Sequence, residues 1–90
     1  MAWEMPAKDP DDDLDYTINW STWLGVDTIS TSVWDVPIGL TSHSPSASTT
    51  AVTIWLAGGT AGERYYVNNR IVTAAGRAVE DSFAVLIKDK

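Results

Sequence analysis

Apolar and polar side chains alternate along most of this chain, and the alternation is strongest in two runs that a glycine-rich segment joins. Each run repeats at every second position. The first has Val52, Ile54 and Leu56, and the second has Tyr65, Val67, Asn69 and Ile71. Because a pleated strand sends every second side chain to the same face, each run predicts a strand with one buried face.

The glycine-rich segment between the two runs predicts a sharp corner. Gly58, Gly59 and Gly62 allow backbone angles that other residues avoid, so this segment can turn the chain or carry it between two sheets. In immunoglobulin-like sandwiches, a tyrosine at the start of the strand after such a corner often bonds back to the corner backbone. Tyr65 and Tyr66 are the candidates, and the alternative is a tyrosine that simply packs at the sheet edge.

Further alternating segments lie at 14–20, 28–36 and 78–88. Pro37 ends the second of these because proline lacks the backbone donor that a central strand needs. Residues 38–49 are serine-rich and predict a loop or a weak edge strand. We therefore predict an all-β fold, an immunoglobulin-like antiparallel β-sandwich of about six to seven strands.

The first part of the chain differs in composition from the rest. Residues 1–13 hold two prolines and four aspartates with little apolar content, which predicts a flexible acidic N-terminal arm. Residues 14–90 then form the single folded domain. Trp3 and Met5 are the exceptions in this arm, and Trp3 is a candidate anchor that orders the arm on a partner.

Length and composition limit the class of protein. The chain has 90 residues, enough for one domain with a small core, and 44% of them are apolar. It lacks any apolar run of about 18 residues, which predicts that it does not span a membrane. It has no cysteine, so disulfides and thiolate metal sites are excluded. Its start lacks the pattern of a secretory signal, and we expect the cytoplasm of the producing cell as the place of synthesis.

Charge is distributed unevenly along the chain. The net charge is −6, six of the 12 acidic residues lie in the first 15 positions, and five of the six basic residues lie in the last 27. Phosphate backbones repel such an acidic segment, and the cations are not interleaved with aromatic residues, so direct nucleic-acid binding is disfavoured. The uneven distribution suits ordered stacking of subunits or docking on a basic partner, although a solvated acidic tail is the simpler interpretation.

Candidate chemistry is sparse in this sequence. His43 lies in a serine-rich segment, and a serine beside it in sequence is not by itself a nucleophile with its base, because triads are assembled across a fold. The acidic run from Asp9 has Leu14 where a calcium loop needs glycine and Trp20 where it needs glutamate, so a weak calcium site is the lesser alternative to a solvated leader. Residues 58–62 lack the ending of a phosphate loop. We predict no catalytic residue, no metal site and no cofactor.

The five tryptophans differ in what their positions predict. Trp20 continues an alternating run and is predicted in the core, while Trp23, in a predicted turn or bulge, covers an end of the sandwich. Trp55 is opposite in phase to the buried positions of its run, so its indole is expected to face outward. An outward indole suits a protein interface or a sugar-stacking platform, and we favour the interface because convergent polar donors are not identifiable. The candidate interface residues are Trp3, Trp34, Trp55 and Arg70.

Three segments carry patterns more specific than those of a generic strand. They are LDYTINWSTWLGVDTISTSVW (Leu14–Trp34), WLAGGTAGERYYVNNRIVTAAGR (Trp55–Arg77) and EDSFAVLIKD (Glu80–Asp89). With them, the chain from Lys8 onward resembles small structural proteins of tailed bacteriophages and prophages, of the tail or fibre-tail adaptor type found in the head-tail region.

The resemblance implies an immunoglobulin-like sandwich that serves in virion assembly as a non-enzymatic tail or fibre-tail adaptor subunit, with no catalytic residues. It implies protein–protein contacts with other phage structural proteins and with ring-forming neighbours of the same chain. No direct contact with nucleic acid or membrane is expected. The implied location is the virion, after synthesis in the bacterial cytoplasm.

Two other classes of function compete with this interpretation. A carbohydrate- or surface-binding module would use exposed Trp34 and Trp55 as its platform, and we keep it as the alternative. A small hydrolase would need a cleft that joins His43 to an acid such as Asp27 or Asp35.

Overall fold

Seven strands and one short helix are present in the computed structural model, which describes residues 2–4 and 7–89, with side chains from residue 7 onward. The strands are β1 (Ala2–Glu4), β2 (Leu14–Asn19), β3 (Ile29–Asp35), β4 (Leu40–Ala47), β5 (Ala51–Gly58), β6 (Arg64–Thr73) and β7 (Ala78–Leu86). The helix is α1 (Ser21–Leu24).

The strands form two sheets that pack face to face. The large sheet has the order β1-β7-β6-β3, and the small sheet has the order β2-β5-β4. Neighbouring strands are antiparallel except β1 and β7, which run parallel. The predicted all-β sandwich is confirmed, with this parallel pair at one edge as its departure from a purely antiparallel arrangement.

Alternate positions of the central strands form the core between the sheets. The buried residues of β5 and β6 include Val52, Ile54, Leu56, Val67 and Ile71. Tyr16 of β2 stacks on Phe83 of β7, with ring centroids 5.6 Å apart. Full burial of one such side chain contributes about 1.5–3 kcal/mol, so these layers supply most of the stability of a domain this small.

Asn69 is a polar residue within the core, where it is fully buried on the inner face of β6. Its Oδ1 accepts a hydrogen bond from Trp20 Nε1 at 3.2 Å. Its Nδ2 donates to Ser32 Oγ at 2.9 Å and to the Val33 carbonyl at 3.3 Å. These bonds offset the cost of burying the amide and connect the end of β2 to β3.

The N-terminal segment is attached to the large sheet at two places. β1 pairs with β7 in the register Ala2 to Ser82. Further on, Lys8 N donates to the Leu86 carbonyl at 3.0 Å, and Lys88 N donates to the Lys8 carbonyl at 2.8 Å. The segment therefore continues the pairing along the edge of the large sheet.

Lys8 itself is 0% exposed. Its ammonium donates to the carbonyl oxygens of Asp9 and Gly58, at 2.8 and 2.6 Å, which compensates part of the lost hydration. Within the arm predicted over residues 1–13, β1 is paired with β7 and the buried ammonium of Lys8 lies against the sandwich. Met5 lies outside the described residues.

Two local segments differ from or refine the sequence interpretation. Residues 21–24 form the short helix α1 where a turn or bulge was predicted around Trp23. Residues 40–47 form the edge strand β4, whose pairing with β5 shifts between His43 and Ser46. Within residues 2–4 and 7–89, no helix is long and apolar enough to cross a membrane.

Candidate interaction surfaces

The corner between β5 and β6 is held by Tyr65. The backbone N–H of Thr60 donates a hydrogen bond to its hydroxyl at 3.1 Å, which is the return bond considered for Tyr65 or Tyr66. The ring covers Gly39, whose φ is +109°, and a Cβ at Gly39 would lie 2.8 Å from a ring carbon. Tyr66 points the other way and is 57% exposed. Tyr65 therefore serves the scaffold and leaves Tyr66 available for contacts.

The outer surface of the large sheet includes the solvent-facing side chains of Val33, Tyr66 and Arg70, and we call these three residues the Tyr66 face. Val33 is 62% exposed and lies opposite Arg70 in the register, with Glu80 on the other side of Arg70. Within residues 7–89, the Arg70 guanidinium makes no hydrogen bond or ion pair. Tyrosine and arginine are enriched in the energetic centres of protein interfaces, so this face suits protein binding.

The outer surface of the small sheet centres on Trp55, and we call it the Trp55 face. Trp55 lies opposite Asp15 of β2 and His43 of β4, on the side away from the buried residues of β5, as its phase predicts. The imidazole of His43 stacks with the indole, with ring centroids 5.8 Å apart and planes inclined by 25°. The indole is therefore half-buried rather than a free flat platform.

His43 has two polar partners on the Trp55 face. Its Nε2 lies 2.9 Å from both carboxylate oxygens of Asp13, and its Nδ1 lies 2.9 Å from Ser44 Oγ. The acid, imidazole and hydroxyl are linked in the order of a catalytic triad, but His43 and Asp13 are about half exposed on the open outer surface of the small sheet. Acyl transfer also needs oxyanion donors and exclusion of water. This geometry fastens the acidic segment to β4.

Trp34 faces inward from β3 rather than outward. It pairs in register with buried Asn69 and meets Phe83 edge to face, with centroids 6.2 Å apart. Its remaining surface lines a cleft of about 230 Å³ between the edges of β3 and β4, which Pro45 and Ala47 also line. Trp34 and Trp55 belong to different sheets and face different directions, so they do not form the shared platform that a carbohydrate module would need.

The opposite end of the sandwich from Tyr65 is closed by Asp27 and Arg77. Both Nε and Nη2 of Arg77 lie 3.0 Å from Asp27 Oδ2, and Nη2 also donates to the Leu24 carbonyl. The guanidinium carbon lies 4.3 Å from the centroid of the Trp23 ring, a cation–π distance. Trp23 covers this end of the sandwich by packing edge-on against Trp20, and Arg77 in turn covers Trp23.

The carboxyl group of Asp27 is strongly acidic in this setting. A hydrogen bond from the Thr73 hydroxyl is the largest cause that lowers its pKa from 3.8 to about 2. Partial burial opposes this shift, while backbone N–H groups of Thr28 and Ala75 and the guanidinium of Arg77 add to it. Asp27 is therefore fully engaged in structure and is not a free acid for His43, which pairs with Asp13 instead.

The residues predicted as an interface lie on separate surfaces. Arg70 is on the Tyr66 face, Trp55 is on the Trp55 face, and Trp34 lines the cleft between two strand edges. Trp3 is in β1, where its backbone pairs with Phe83, and its side chain lies outside the described part of the chain. Sequence reasoning missed Val33 as an exposed neighbour of Arg70. Because Val67 faces the core and side chains alternate along a strand, Tyr66 and Arg70 could have been placed together on the outer face from the sequence.

Metal binding has no prepared site among the described side chains. Within residues 7–89, no group of three or more histidine, aspartate or glutamate side chains is arranged to hold a metal ion. The acidic run around Asp9 instead uses its carboxylates for local bonds, since Asp9 N donates to Asp12 and Asp11 N donates to Asp9.

Comparisons with known proteins give one family and one fold. A family model described as "Podophage GP4 fiber-tail adaptor protein gp77" matches residues 8–86. The solution structure of the PKD domain from KIAA 1837 protein is similar with a TM-score of 0.62 at 13% identity, covering 99% of this chain and 79% of that one. A comparison with curated proteins gave no match. The structural likeness supports the immunoglobulin-like fold alone.

Proposed function

Because the chain belongs to the podophage fibre-tail adaptor family and so has a structural role in the phage tail, we propose that it acts as a non-enzymatic virion subunit through direct protein–protein contacts. Its partners are other phage structural proteins, and neither nucleic acid nor membrane is contacted directly. The chain is made in the bacterial cytoplasm and enters the virion during assembly.

The observation that carries this proposal is the Tyr66 face. It presents an exposed tyrosine, an exposed valine and an arginine that has no partner among the side chains of residues 7–89, on a sheet whose other face is filled by the core. An aromatic ring and a guanidinium bury large contact areas and form strong hydrogen bonds at interfaces. A rigid two-layer scaffold holds both groups in place, which reduces the entropy lost on binding.

The same chain also contacts neighbouring copies of itself in a ring. The Tyr66 face and the Trp55 face lie on the outer sides of different sheets and carry different residues. A contact between unlike surfaces of identical subunits is heterologous, and such contacts close into rings when the rotation between subunits allows it.

The absence of catalysis is part of the proposal. The only imidazole of the chain, His43, is stacked on Trp55 and bonded to Asp13 on an open surface. Water reaches this group freely, so a reactive intermediate would find neither shielding nor preorganised donors there. The arrangement is better suited to holding the acidic segment in place.

The N-terminal residues before Lys8 are a further contact, with Trp3 as the anchor. Deleting all of residues 1–13 would not test this contact alone, because it would also remove the buried Lys8. Deleting residues 1–6 keeps Lys8 and removes Trp3. We expect the shortened chain, which also loses the pairing of β1 with β7, to fold with a lower unfolding midpoint and to enter particles less efficiently.

The adaptor proposal is tested in particles of the phage that encodes the chain, with the gene supplied on a plasmid. We expect the chain in purified tails, and we expect the double variant Tyr66→Ala, Arg70→Ala to lower its incorporation by at least about tenfold. Thr22→Ala, on the exposed surface of α1, is the matched control. Purified tails without the chain would overturn the adaptor role, and normal incorporation of the double variant would overturn the use of the Tyr66 face.

A further inference from the structure

The flank formed by β3 and β4 carries almost no charge. Residues 28–34 and 36–62 contain no aspartate, glutamate, lysine or arginine, although 20% of the whole chain is charged and its net charge is −6. Both strands lie at the same side of the sandwich, since Ile29 N donates to the Thr49 carbonyl at 2.9 Å beyond the end of β4. Charge depletion distinguishes the centres of protein interfaces from ordinary solvated surface.

The edges of β3 and β4 on this flank are protected to different degrees against the addition of another strand. β4 is interrupted by Pro45 and by Ser44, whose φ is +51°, and its register shifts there. These features block the addition of another strand. β3 pairs with β6 on one side and, among the described residues, has no strand on the other. From Thr31 to Trp34 it contains neither proline, nor charge, nor a register shift.

A cleft accompanies the open edge of β3. It has a volume of about 230 Å³ and is lined by Trp34 and Ser32 of β3 and by Pro45, Ser46 and Ala47 of β4. Addition of a peptide strand to a sheet edge gains affinity from backbone hydrogen bonds and specificity from pockets for alternate side chains. The β3 edge offers the first feature and the cleft offers the second.

From this combination we infer that β3 binds an extended, uncharged segment of another virion protein, which adds as a strand and inserts one small apolar side chain between Trp34 and Pro45. The inference rests on the proposed adaptor function and names the chemistry of one partner. The uncharged flank favours an uncharged partner segment, because a charged one would lose hydration without gaining an opposite charge. We assign the partner segment to another protein because residues 9–13 of this chain, which precede β2, are acidic and do not match an uncharged flank.

The decisive experiment is site-specific photo-crosslinking in assembled tails. The photoreactive residue p-benzoylphenylalanine is placed at Thr31, which is exposed on β3, and in a separate variant at Thr17, which is exposed on the edge strand β2. We expect Thr31 to crosslink to one extended, uncharged segment of a different virion protein, identified by mass spectrometry, and Thr17 not to reach that segment. Crosslinks from Thr31 only to another copy of this chain, or none, would overturn the inference.

Two substitutions test the edge and the cleft separately. Thr31→Lys places a charge on the open edge, and Ala47→Phe fills the cleft from β4 while leaving β3 unchanged. We expect each to lower incorporation into tails by at least about tenfold, with Thr22→Lys on the exposed surface of α1 as the control. Unfolding midpoints measured on the same variants separate a binding defect from a folding defect. If wild-type chain is in tails and both folded variants enter normally, this inference fails; if wild-type chain is absent from tails, the adaptor proposal fails instead.

Discussion

The two ends of the sandwich are closed by different chemistry. At the corner end, where β5 leads into β6, Lys8 and Tyr65 bond to backbone groups of the corner. At the Arg77 end, where β6 leads into β7, an ion pair joins Arg77 to Asp27, and the guanidinium lies over Trp23. One end depends on close packing and backbone hydrogen bonds, and the other depends on charges at the surface.

This difference shows which conditions should act on each end. Lys8 is 0% exposed, so solvent ions reach it poorly, whereas the Arg77 side chain is 45% exposed. Exposed ion pairs are screened by salt and contribute little to the free energy of unfolding. Removing the packing or the hydrogen bonds of a buried group lowers that free energy more strongly. Substitutions should therefore be most damaging at the corner end, and acid should act on the Arg77 end.

The largest effect is expected from Gly59→Val at the corner end. A Cβ at Gly59 would lie 2.7 Å from Cγ1 of Ile87, which is fully buried, and the φ of +98° disfavours any side chain. Overlap and backbone strain together should lower the free energy of unfolding by about 4 kcal/mol. Urea denaturation followed by tryptophan fluorescence measures the loss.

Gly62→Val is the matched control for this substitution. Gly62 has a similar φ of +89°, but apart from Gly62 itself and its two chain neighbours, no atom of the described residues lies within 4 Å of the position its Cβ would take. It should lose only the strain of the backbone conformation, about 1–2 kcal/mol. Equal losses at both glycines would mean that Ile87 moves aside and that the corner end is less tightly packed than the distances indicate.

A smaller loss, about 3 kcal/mol, is expected when Lys8→Ala removes a buried side-chain stem together with its hydrogen bonds. Lys8→Met keeps most of the stem and removes only the bonds to the Asp9 and Gly58 carbonyls, so it should cost about 1 kcal/mol. Urea denaturation of both variants at two salt concentrations provides the measurement. An unchanged midpoint for Lys8→Ala would mean that the segment around Lys8 contributes nothing to the sandwich.

The strands were predictable because the two-residue period is a local property. The positions of Val52, Ile54 and Leu56 marked the inner face of β5, and the same period marked Trp55 as outward. The tyrosine of the corner was also within reach of sequence reasoning, because Tyr65 bonds to Thr60, only five residues away. Local spacing limited the candidates for the corner bond to Tyr65 and Tyr66. Which of the two makes the bond depends on which face of β6 points toward the core.

The contacts that close the two ends were not predictable in the same way. Arg77 and Asp27 are 50 residues apart, as are Lys8 and Gly58. No period or motif links such positions, since their meeting depends on how the sheets are stacked. Lys8 was misleading for a further reason: its neighbours are acidic and polar, and composition of that kind is typical of a solvated arm.

Tyr65→Phe should weaken the corner end by about 1 kcal/mol, because it removes one hydrogen bond and keeps the ring against Gly39. Tyr66→Phe is its control at the adjacent position, where the hydroxyl faces solvent, and it should change the free energy of unfolding by less than about 0.5 kcal/mol. Urea denaturation of the two variants side by side is sufficient. If Tyr66→Phe proved the more damaging of the two, the assignment of Tyr65 to the corner would be wrong.

The Arg77 end should respond to acid through Asp27, and the response should be confined to a narrow range of low pH. The pKa of Asp27 is about 2 in the folded protein, below its ordinary value of 3.8, chiefly because the Thr73 hydroxyl donates to the carboxylate. The unfolded chain therefore binds a proton at higher pH than the folded chain does. The stabilising contribution is complete above pH 3.8 and is lost as the pH falls toward about 2.

Asp27→Asn removes this titration and so isolates it from the other carboxylates. The urea midpoints of the wild type and of Asp27→Asn should converge between pH 4 and pH 2, with the wild type the more stable at pH 4 because its carboxylate holds Arg77. A constant difference between Asp27→Asn and the wild type over this range would show that the Arg77 end is closed by packing, like the corner end, and the contrast between the two ends would disappear.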